Sequence, residues 1–476
     1  MTERVDAVVV GSGPNGLAAA VTLALAGLSV AVVEASSTPG GGTRTAELTQ
    51  DGLLHDVCSA VHPLAVASPF LGSLPLHEHG LVWSWPAIDL AHPLDNGSAG
   101  VVSRDLDVTV GSLGRDGARW RDVFEPLADQ FTDLVSDVLR PLPAIPHHPV
   151  TLSRYGIEAL KPATRFANRF HSEAARALFA GSAAHLTGPL DRLGSASVGV
   201  LLTAAGHAGG WPVAVGGSAT ITSALTSLLV SLGGKLTTGV EVRSMADLPT
   251  CEVVLFDTSP HAATRIIGDR LPRGVKRSLK RWRYGPAAWK VDLAVEGGIP
   301  WTAEACQLAG TVHVGGTMAE IARAEADVAA GRAADRPFVL VAQQYLADPS
   351  RSKGNLHPVW AYAHVPHAYR GDATEPLLNQ IERFAPGFRD RIVATHVTGP
   401  AALEAYNPNY VGGDIATGAN SLRQLLARPR IAANPYRLGA DGLYLCSAAT
   451  PPGAGVHGMC GHLAAQAALA DLRRRR

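Results

Sequence analysis

The chain has 476 residues, which is enough for two or three domains. Apolar residues make up 46% of it and charged residues only 17%, as is typical of a well-buried globular protein. Lysine plus arginine equals aspartate plus glutamate, at 41 each, so no overall electric field would recruit nucleic acid or another polyanion. The five cysteines form no Cys-x-x-Cys pair, which disfavours a disulfide framework or a metal site and favours a cytoplasmic protein.

The N-terminal segment contains an apolar strand pattern, Asp6–Val10, followed by the glycine-rich turn Gly11–Gly16 and an alanine-rich helix pattern. This order predicts the first part of a dinucleotide-binding unit. We expect Gly11 to allow the sharp turn, Gly13 to admit a diphosphate, and Gly16 to let the helix lie against the sheet. The diphosphate would use the unpaired N–H groups at the helix N-terminus. The cofactor contacts predicted from this turn are Gly11, Gly13, Pro14, Asn15 and Gly16.

A second strand pattern ends at Glu34. A carboxylate at this place accepts hydrogen bonds from ribose hydroxyls, whereas it would repel a 2′-phosphate. Ala35 and the two serines after it supply no cation for such a phosphate. Glu34 and Ala35 are therefore predicted cofactor contacts, and FAD or NAD is favoured over NADP.

A second glycine cluster, Gly40–Arg44, follows the second strand. NAD-dependent dehydrogenases normally continue into another helix here, whereas many flavoproteins with two dinucleotide domains place a Gly-Gly-x-x-Arg-like turn against the flavin side. We expect backbone contacts to the diphosphate or ribityl chain, and an arginine that offsets phosphate charge or lies near the flavin ring. The cofactor contacts predicted from this turn are Gly41, Gly42, Thr43 and Arg44. FAD is favoured, with an NAD-dependent dehydrogenase as the alternative.

The middle of the chain gives weaker indications of structure and function than its N-terminal segment. Ser59, Ala60 and His62 either line the flavin or its substrate or belong to a scaffold loop. Short β-like patterns at 100–104 and 107–111 precede a helical pattern. The apolar positions of that helical pattern, which we expect in the core, are Trp120, Phe124, Leu127, Phe131, Leu134 and Val138.

Residues 150–205 have helical patterns, and the segment Arg176–His185 is apolar enough to border an apolar pocket. A Gly-Gly turn at Val213–Gly217, a helix pattern and a strand pattern then return the chain to the sheet, where the backbone near Val242 would contact the adenine. Further strands are predicted at Val253–Asp257, Ala287–Val295, Phe338–Gln344 and Val359–His364.

The C-terminal region repeats the order of strand, glycine-rich turn and helix at 442–476. A helix N-terminus beside the flavin N1 and C2 carbonyl would stabilise the anionic reduced flavin. Gly455 and Val456 are predicted cofactor contacts in this turn. His457 either faces the substrate or has a structural hydrogen-bonding role.

Taken together, these motifs resemble the phytoene desaturase-related FAD-dependent oxidoreductases, a branch of the superfamily that includes the amine oxidases. The resemblance implies a non-covalently bound FAD. The sequence departs from carotenoid desaturases in reading Gly-Gly-Gly-Thr-Arg instead of Pro-Gly-Gly-Arg, and Cys446–Ala448 lacks the acid that amine oxidases carry. The residues that carry the resemblance are Gly11–Gly16, Glu34, Gly40–Arg44, Val215–Gly217, Val242 and Pro452–Gly458.

The expected fold is an α/β, Rossmann-like FAD-binding domain of the two-dinucleotide-domain flavoprotein type, discontinuous, with an inserted α+β substrate domain. The predicted FAD-binding domain comprises residues 1–75, 213–285 and 433–476, and the substrate domain comprises 76–212 and 286–432. The substrate is expected to be a hydrophobic small molecule. Peripheral membrane contact and the oligomeric state, a homodimer included, stay open.

The expected reaction is hydride transfer between a hydrophobic, isoprenoid or lipid-like substrate and flavin N5 in a dry cavity. The candidate catalytic residues are His457, His313 and His364, the first to test among 18 histidines. Three alternatives remain: a redox-neutral, flavin-dependent isomerase of a polyene, an amine oxidase-like flavoenzyme, and a flavin-bearing scaffold without enzymatic activity.

Overall fold

The computed structural model describes residues 4–141 and 144–475. The outermost residues of the predicted FAD-binding domain, 1–3 and 476, therefore lie outside the described residues. The boundaries between the two predicted domains stay a prediction. The five cysteines are unpaired, and four of them are buried.

A five-stranded parallel sheet forms the half of the structure that carries the predicted dinucleotide-binding turns, called the dinucleotide half below. Its strands come from separate stretches of the chain, as a discontinuous α/β domain requires. The two central strands are entirely buried because helices cover both faces, which explains their continuous valine-rich sequences. In spatial order the strands are Leu443–Leu445, Val253–Phe256, Ala7–Val10, Val30–Val33 and Lys235–Thr237.

A mixed seven-stranded sheet forms the other half. Valine and alanine side chains on one of its faces pack against the helix Thr374–Phe384 to form a second hydrophobic core. In spatial order its strands are Ile392–Thr398, Ala287–Glu296, Leu356–Val365, Val339–Ala342, Ala309–Val314, Ile88–Pro93 and Ala99–Val102. Two short pairs join Thr45–Ala46 to His55–Asp56 and Trp83–Ser84 to Val213–Ala214.

Three long helices cover the parallel sheet: Pro14–Leu25, Ala219–Ser231 and Met459–Arg475. The first and last pack closely together, since a Cβ on Gly461 would lie 1.8 Å from the Asn15 carbonyl oxygen. A helical layer from the first half of the chain contains Leu106–Leu113, Gly117–Asp129, Phe131–Val138, Pro149–Ala159, Ala163–Ala167, Glu173–Ala184 and Ala196–Ala208. Further helices are Pro63–Val66, Pro69–Gly72, Pro260–Ile267, Arg273–Lys280, Glu304–Gln307, Met318–Ala329, Pro400–Tyr406 and Leu422–Leu426.

The β-like interpretation of residues 107–111 is wrong, because they lie in the helix Leu106–Leu113. The Asp105 side chain caps this helix by accepting a hydrogen bond from the Asp107 N–H at 3.0 Å. The cap and the packing of Leu113 override the weak helix propensity of valine and threonine. The helical pattern from Trp120 onward is confirmed as core, although it forms two helices that meet at Gln130.

A buried ionic cluster connects the two halves. The Arg351 guanidinium donates to the Asp56 carboxylate at 2.5 Å, to the Asp348 carboxylate at 3.0 Å and to the Ala214 carbonyl at 2.7 Å. Asp56 also accepts a hydrogen bond from the Ser218 N–H at 2.6 Å. Burial disfavours the Asp56 carboxylate, but the Arg351 charge and these hydrogen bonds outweigh it and hold the Asp56 pKa below its usual value. The cluster fixes the loops that follow the dinucleotide turn.

Candidate functional site

One cavity of about 870 Å³ runs from the carboxyl edge of the parallel sheet to the seven-stranded sheet. Ligands of open parallel sheets bind at this edge, and the volume is in the range of small-molecule sites. Both halves of the chain line the cavity. Its outer end is formed by the dinucleotide turns, and its inner end by residues of the other half together with His62.

The glycine turn shows why these residues are small. Gly11 has a φ of +101°, which disfavours other residues. A Cβ on Gly16 would lie 2.1 Å from the Gly11 carbonyl oxygen, so the helix passes close to the turn as predicted. A Cβ on Gly13 would lie 2.7 Å from a carboxylate oxygen of Asp257. Gly11, Gly13, Pro14 and Asn15 all line the cavity.

Gly16 differs from the prediction, because it does not line the cavity. Its N–H donates to the Asp257 carboxylate at 2.8 Å, so this helix N-terminal donor is already used. The reason is tertiary: Asp257 ends the neighbouring strand and reaches the helix terminus from the side. The N–H groups of Gly11 and Ser12, nearer the start of the turn, are also paired, with the Val33 carbonyl and the Glu34 carboxylate, each at 2.8 Å. Burial, with the Glu34 charge added, raises the pKa of Asp257 to about 7 against the opposing effect of its backbone hydrogen bonds.

Glu34 lines the cavity at the end of the second strand, as predicted, next to Ala35. Its carboxylate accepts hydrogen bonds from the Ser12 N–H at 2.8 Å, the Ser12 hydroxyl at 2.7 Å and the Ser36 N–H at 2.8 Å. Val242 also lines the cavity, and its segment is held beside Glu34 because the Val240 N–H donates to the Glu34 carbonyl at 2.9 Å. Glu34 and Val242, which were predicted from distant parts of the sequence to contact the ribose and the adenine, thus lie together at the outer end of the cavity.

The second glycine turn contacts the first one. A Cβ on Gly41 would lie 2.9 Å from the Gly13 Cα, and a Cβ on Gly42 would lie 2.2 Å from the Tyr410 hydroxyl. Arg44 mainly holds the turn together: it donates to the Thr38 carbonyl at 2.9 Å and lies 3.6 Å from the Glu34 carboxylate. The predicted contacts from this turn, Gly41, Gly42, Thr43 and Arg44, all line the cavity.

The C-terminal turn brings Gly455 and Val456 to the cavity, as predicted, but not His457. The His457 ring is buried, and its Nδ1 accepts a hydrogen bond from the Met459 N–H at 3.0 Å, which caps the last helix. Burial lowers the pKa of His457 to about 4, so the ring stays neutral. The structure therefore assigns His457 the structural role, because its ring faces the helix start.

The other two candidate histidines also lie behind the cavity wall. His364 Nδ1 lies 2.7 Å from the Glu325 carboxylate within the core. His313 Nε2 lies 2.9 Å from His185 Nε2, and His185 is the member of that pair that lines the cavity. The prediction that His313, His364 and His457 contact the substrate is thus not supported by their positions. The sequence indicated the place of each histidine along the chain but not the direction in which its ring points.

The inner end is lined by residues that the sequence only partly indicated. His62 lies there, and the segment ending at His185 does border an apolar pocket as expected. Burial lowers the pKa of His62 to about 4 and that of His185 to about 3, so both rings are neutral at neutral pH. Aromatic and aliphatic side chains provide most of the remaining inner lining: Trp211, Trp360, Tyr362, Leu202, Val198, Leu340 and Ile415.

Lys290 was also not predicted as a site residue from the sequence. Its ammonium group is buried, pairs with the Asp292 carboxylate and lies 5.7 Å from the Trp360 ring. Together with Cys58 and Tyr362 it borders a small void next to the main cavity. An alternating strand containing a lysine at an inward position was the signal that could have revealed it.

The charged residues that line the cavity all belong to the dinucleotide half: Glu34, Arg44, Glu241, Arg243, Asp257 and Arg265. Arg243 pairs with Glu241, their side chains lying 2.8 Å apart. In residues 4–141 and 144–475, no lysine, arginine, aspartate or glutamate lines the inner end. The cavity therefore has a charged outer end and an uncharged inner end.

The chain is similar in sequence to known proteins. A family model described as an NAD(P)-binding Rossmann-like domain matches residues 9–69. The mouse (Mus musculus) protein named pyridine nucleotide-disulfide oxidoreductase domain-containing protein 2 is 24% identical over 562 aligned residues, covering 98% of this chain and 94% of the mouse protein.

Solved structures show the fold over the whole chain. An oxidoreductase from Methanosarcina mazei superposes with a TM-score of 0.64 at 15% identity, covering 98% of this chain and 100% of that one. A putrescine oxidase solved with putrescine bound gives a TM-score of 0.65 at 18% identity, with 100% of both chains covered. The chain shares the fold of these two proteins over its full length. The α/β class predicted from the sequence is thereby confirmed, and the narrower resemblance to phytoene desaturases is taken up below as a proposal.

None of the helices in the described ranges has both the length and the apolar character that crossing a bilayer requires.

Proposed function

We propose that this chain is an FAD-dependent oxidoreductase that transfers hydride between flavin N5 and an uncharged, hydrophobic substrate of isoprenoid or lipid-like type. The observation that carries the proposal is the division of the cavity into a charged dinucleotide end and an inner end lined by uncharged side chains. Apolar pockets with few polar groups bind apolar ligands because desolvating the pocket costs little.

The outer end fits FAD on several counts. Two glycine turns leave the backbone open, and Glu34 stands at the ribose position. The Asn15 side-chain oxygen is buried without a hydrogen-bond partner among the described residues. Because amide oxygen and nitrogen are assigned from their partners, the reversed orientation would offer the Asn15 Nδ2 to a phosphate oxygen. Bound FAD supplies the hydride acceptor, and the protein supplies position and surroundings.

The inner end suits the charge that such a reaction develops. Removing hydride from a C–H bond leaves positive charge on the substrate carbon. Neutral His62 and His185 add no opposing positive charge, and aromatic rings stabilise a nearby cation. The aromatic side chains available for this are Trp211 and Tyr362, whereas Trp360 already has the buried Lys290 ammonium 5.7 Å from its ring. The apolar lining also keeps water away from the reacting carbon.

An amine substrate is less compatible with this lining. A protonated amine needs a carboxylate or another compensating group when it enters a dry pocket. The carboxylates that line the described cavity, Glu34, Glu241 and Asp257, all stand at the dinucleotide end. We therefore favour a neutral substrate over a diamine of the kind bound by the putrescine oxidase.

The first test is the visible spectrum of the purified protein, which should show flavin bands. A folded sample without them would contradict the proposal. The second test is anaerobic bleaching of the flavin by a polyene isoprenoid, with putrescine as the comparison compound. We expect bleaching by the polyene only. If only chemically reduced protein converts the polyene, with no net consumption of an acceptor, the reaction is the redox-neutral isomerisation instead.

A matched pair of variants tests the role of the uncharged inner end. Val198→Asp adds a carboxylate at the inner lining, whereas Val230→Asp adds one on an exposed helix surface. We expect the first variant to keep its FAD and to bleach at least tenfold more slowly with the polyene. The second should behave as the unmodified protein. Equal rates for all three proteins would remove the support that the uncharged lining gives.

A further inference from the structure

One helix of the substrate half exposes apolar side chains to solvent. In the helix Pro149–Ala159, Tyr155 and Ala159 are buried, whereas Val150 and Ile157 are 72% and 65% exposed. Val150 and Ile157 lie seven positions apart, which places them on the same side of the helix. Leu160 follows directly after the helix and is 60% exposed. The helix thus has a buried face and a second, unpartnered apolar stripe.

The stripe continues onto two neighbouring segments. The Gly194 N–H donates to the Leu160 carbonyl at 2.9 Å, and the adjacent Leu193 is 70% exposed. The Leu422 side chain lies 3.5 Å from the position of a Cβ on Gly194, and Leu426 follows one turn later on the same helix face. We call this surface the outer apolar face, defined by Val150, Ile157, Leu160, Leu193, Leu422 and Leu426.

Basic side chains lie among these apolar residues. Arg154 is exposed and falls on the stripe between Val150 and Ile157. Glu158 is already paired, with Lys161 at 2.9 Å and with Arg169. The exposed arginines on this stripe or next to its residues in the chain are Arg154, Arg192 and Arg423, against the exposed acid Asp191. In a chain whose overall charge is balanced, this is a local excess of positive charge.

The outer apolar face lies outside one wall of the cavity. Val198, which lines the cavity, follows Leu193 by five residues. The Asn420 side chain donates to the Leu186 carbonyl at 3.0 Å, which ties the segment before Leu422 to the turn that carries the cavity residue Thr187. A ligand leaving the inner end near these residues would emerge beside this face.

We propose that the outer apolar face docks the protein on the surface of a membrane that contains anionic lipids, with its apolar side chains entering the interface and its arginines contacting headgroup phosphates. Contiguous exposed apolar residues mark interaction surfaces, and apolar side chains combined with Lys or Arg are typical of interfacial binding. A second copy of the chain fits less well, because a two-fold contact would bring the arginines of both copies together. The route to a lipophilic substrate rests on the proposed function, whereas the docking itself does not.

The test is sedimentation of the full-length protein with lipid vesicles. One vesicle preparation contains phosphatidylcholine alone, and the other contains phosphatidylcholine with phosphatidylglycerol. We expect binding to the anionic vesicles that weakens as salt is added, because salt screens the arginine–phosphate attraction. The double variant Ile157→Glu with Leu193→Glu should bind at least tenfold more weakly. A matched control, Val230→Glu with Val393→Glu, changes exposed valines away from the face and should bind normally.

Circular dichroism checks that each variant is folded. Equal vesicle binding by the two double variants would overturn the proposal, as would no binding of the unmodified protein to anionic vesicles. A dimer that dissociates in the Ile157→Glu, Leu193→Glu variant would assign the face to a second copy instead. The readout needs neither flavin nor turnover, so vesicle binding by a protein without flavin would contradict only the proposed function.

Discussion

Two carboxylates, Glu34 and Asp257, set the arrangement of negative charge around the dinucleotide turn. The first faces the expected ribose and was identified from its place after the second strand. The second takes the Gly16 N–H at 2.8 Å and came to light only in the folded chain. Both lie where a cofactor diphosphate would add more negative charge, so the protonation of Asp257 and the binding of the cofactor should be linked.

The variant Glu34→Gln tests the ribose contact. Glutamine keeps the shape of the side chain but removes the charge that strengthens hydrogen bonds to hydroxyl groups. We expect the dissociation constant for FAD to rise by a factor on the order of ten, measured by titrating apoprotein with FAD. Glu47→Gln changes an exposed glutamate and is the control. An unchanged dissociation constant in Glu34→Gln would contradict the ribose role.

The variant Asp257→Asn tests the linkage to pH. The folded-state pKa of Asp257, about 7, lies above its unfolded value, so its stabilising contribution is complete below pH 4 and is lost as pH rises through 7. Relative to the asparagine variant, the free energy of unfolding should therefore fall by an amount on the order of 2 kcal/mol from pH 5 to pH 7. Urea unfolding at several pH values measures this. Affinity for FAD should also fall with pH in the unmodified protein, and less so in the variant.

At the scale of elements, the short turn Pro349–Arg351 holds loops from both halves of the chain. Its arginine is completely buried and bonds to Asp56, Asp348 and the Ala214 carbonyl. Those partners flank the second glycine turn and the start of the helix Ala219–Ser231. The turn therefore positions elements that lie far from it in the sequence.

Replacing Arg351 with methionine should destabilise the protein strongly, because Asp56 and Asp348 would be left as buried carboxylates without a counter-charge. We expect a loss of about 3–5 kcal/mol in the free energy of unfolding, measured in urea. Arg332→Met removes an exposed partner of Asp327 and should cost about 0–1 kcal/mol. Similar small losses in both variants would show that the cluster does not hold the two halves together.

At the scale of the whole molecule, the groove that forms the predicted cofactor site is lined by residues from both halves. Tyr406 belongs to the predicted substrate domain, yet its hydroxyl donates to the Gly41 carbonyl at 2.8 Å, and Tyr410 lies against Gly42. Ligand binding to such a groove should stabilise the chain as one unit, because the bound state requires both halves to be folded.

Adding FAD to apoprotein at about 100 times its dissociation constant should raise the free energy of unfolding by about 2.7 kcal/mol. Hydrogen exchange should slow both in the glycine turn 40–44 and in the segment 406–410. The exposed helix Arg273–Lys280 serves as an internal reference whose exchange should not change. Protection confined to the glycine turns would mean that the substrate half does not close the site.

The sequence by itself determined the dinucleotide unit, because glycine spacing, helix pattern and a terminal acid are local features with fixed geometry. The predicted cofactor contacts follow from it, and all of them except Gly16 line the cavity: Gly11, Gly13, Pro14, Asn15, Glu34, Ala35, Gly41, Gly42, Thr43, Arg44, Val242, Gly455 and Val456. Tertiary structure alone decided which histidines face the cavity and which carboxylate reaches Gly16, because these contacts join strands and helices far apart in the chain. Tertiary structure also decided that, among the described residues, no charged side chain lines the inner end of the cavity. Composition and motifs do not show which side chains line a cavity.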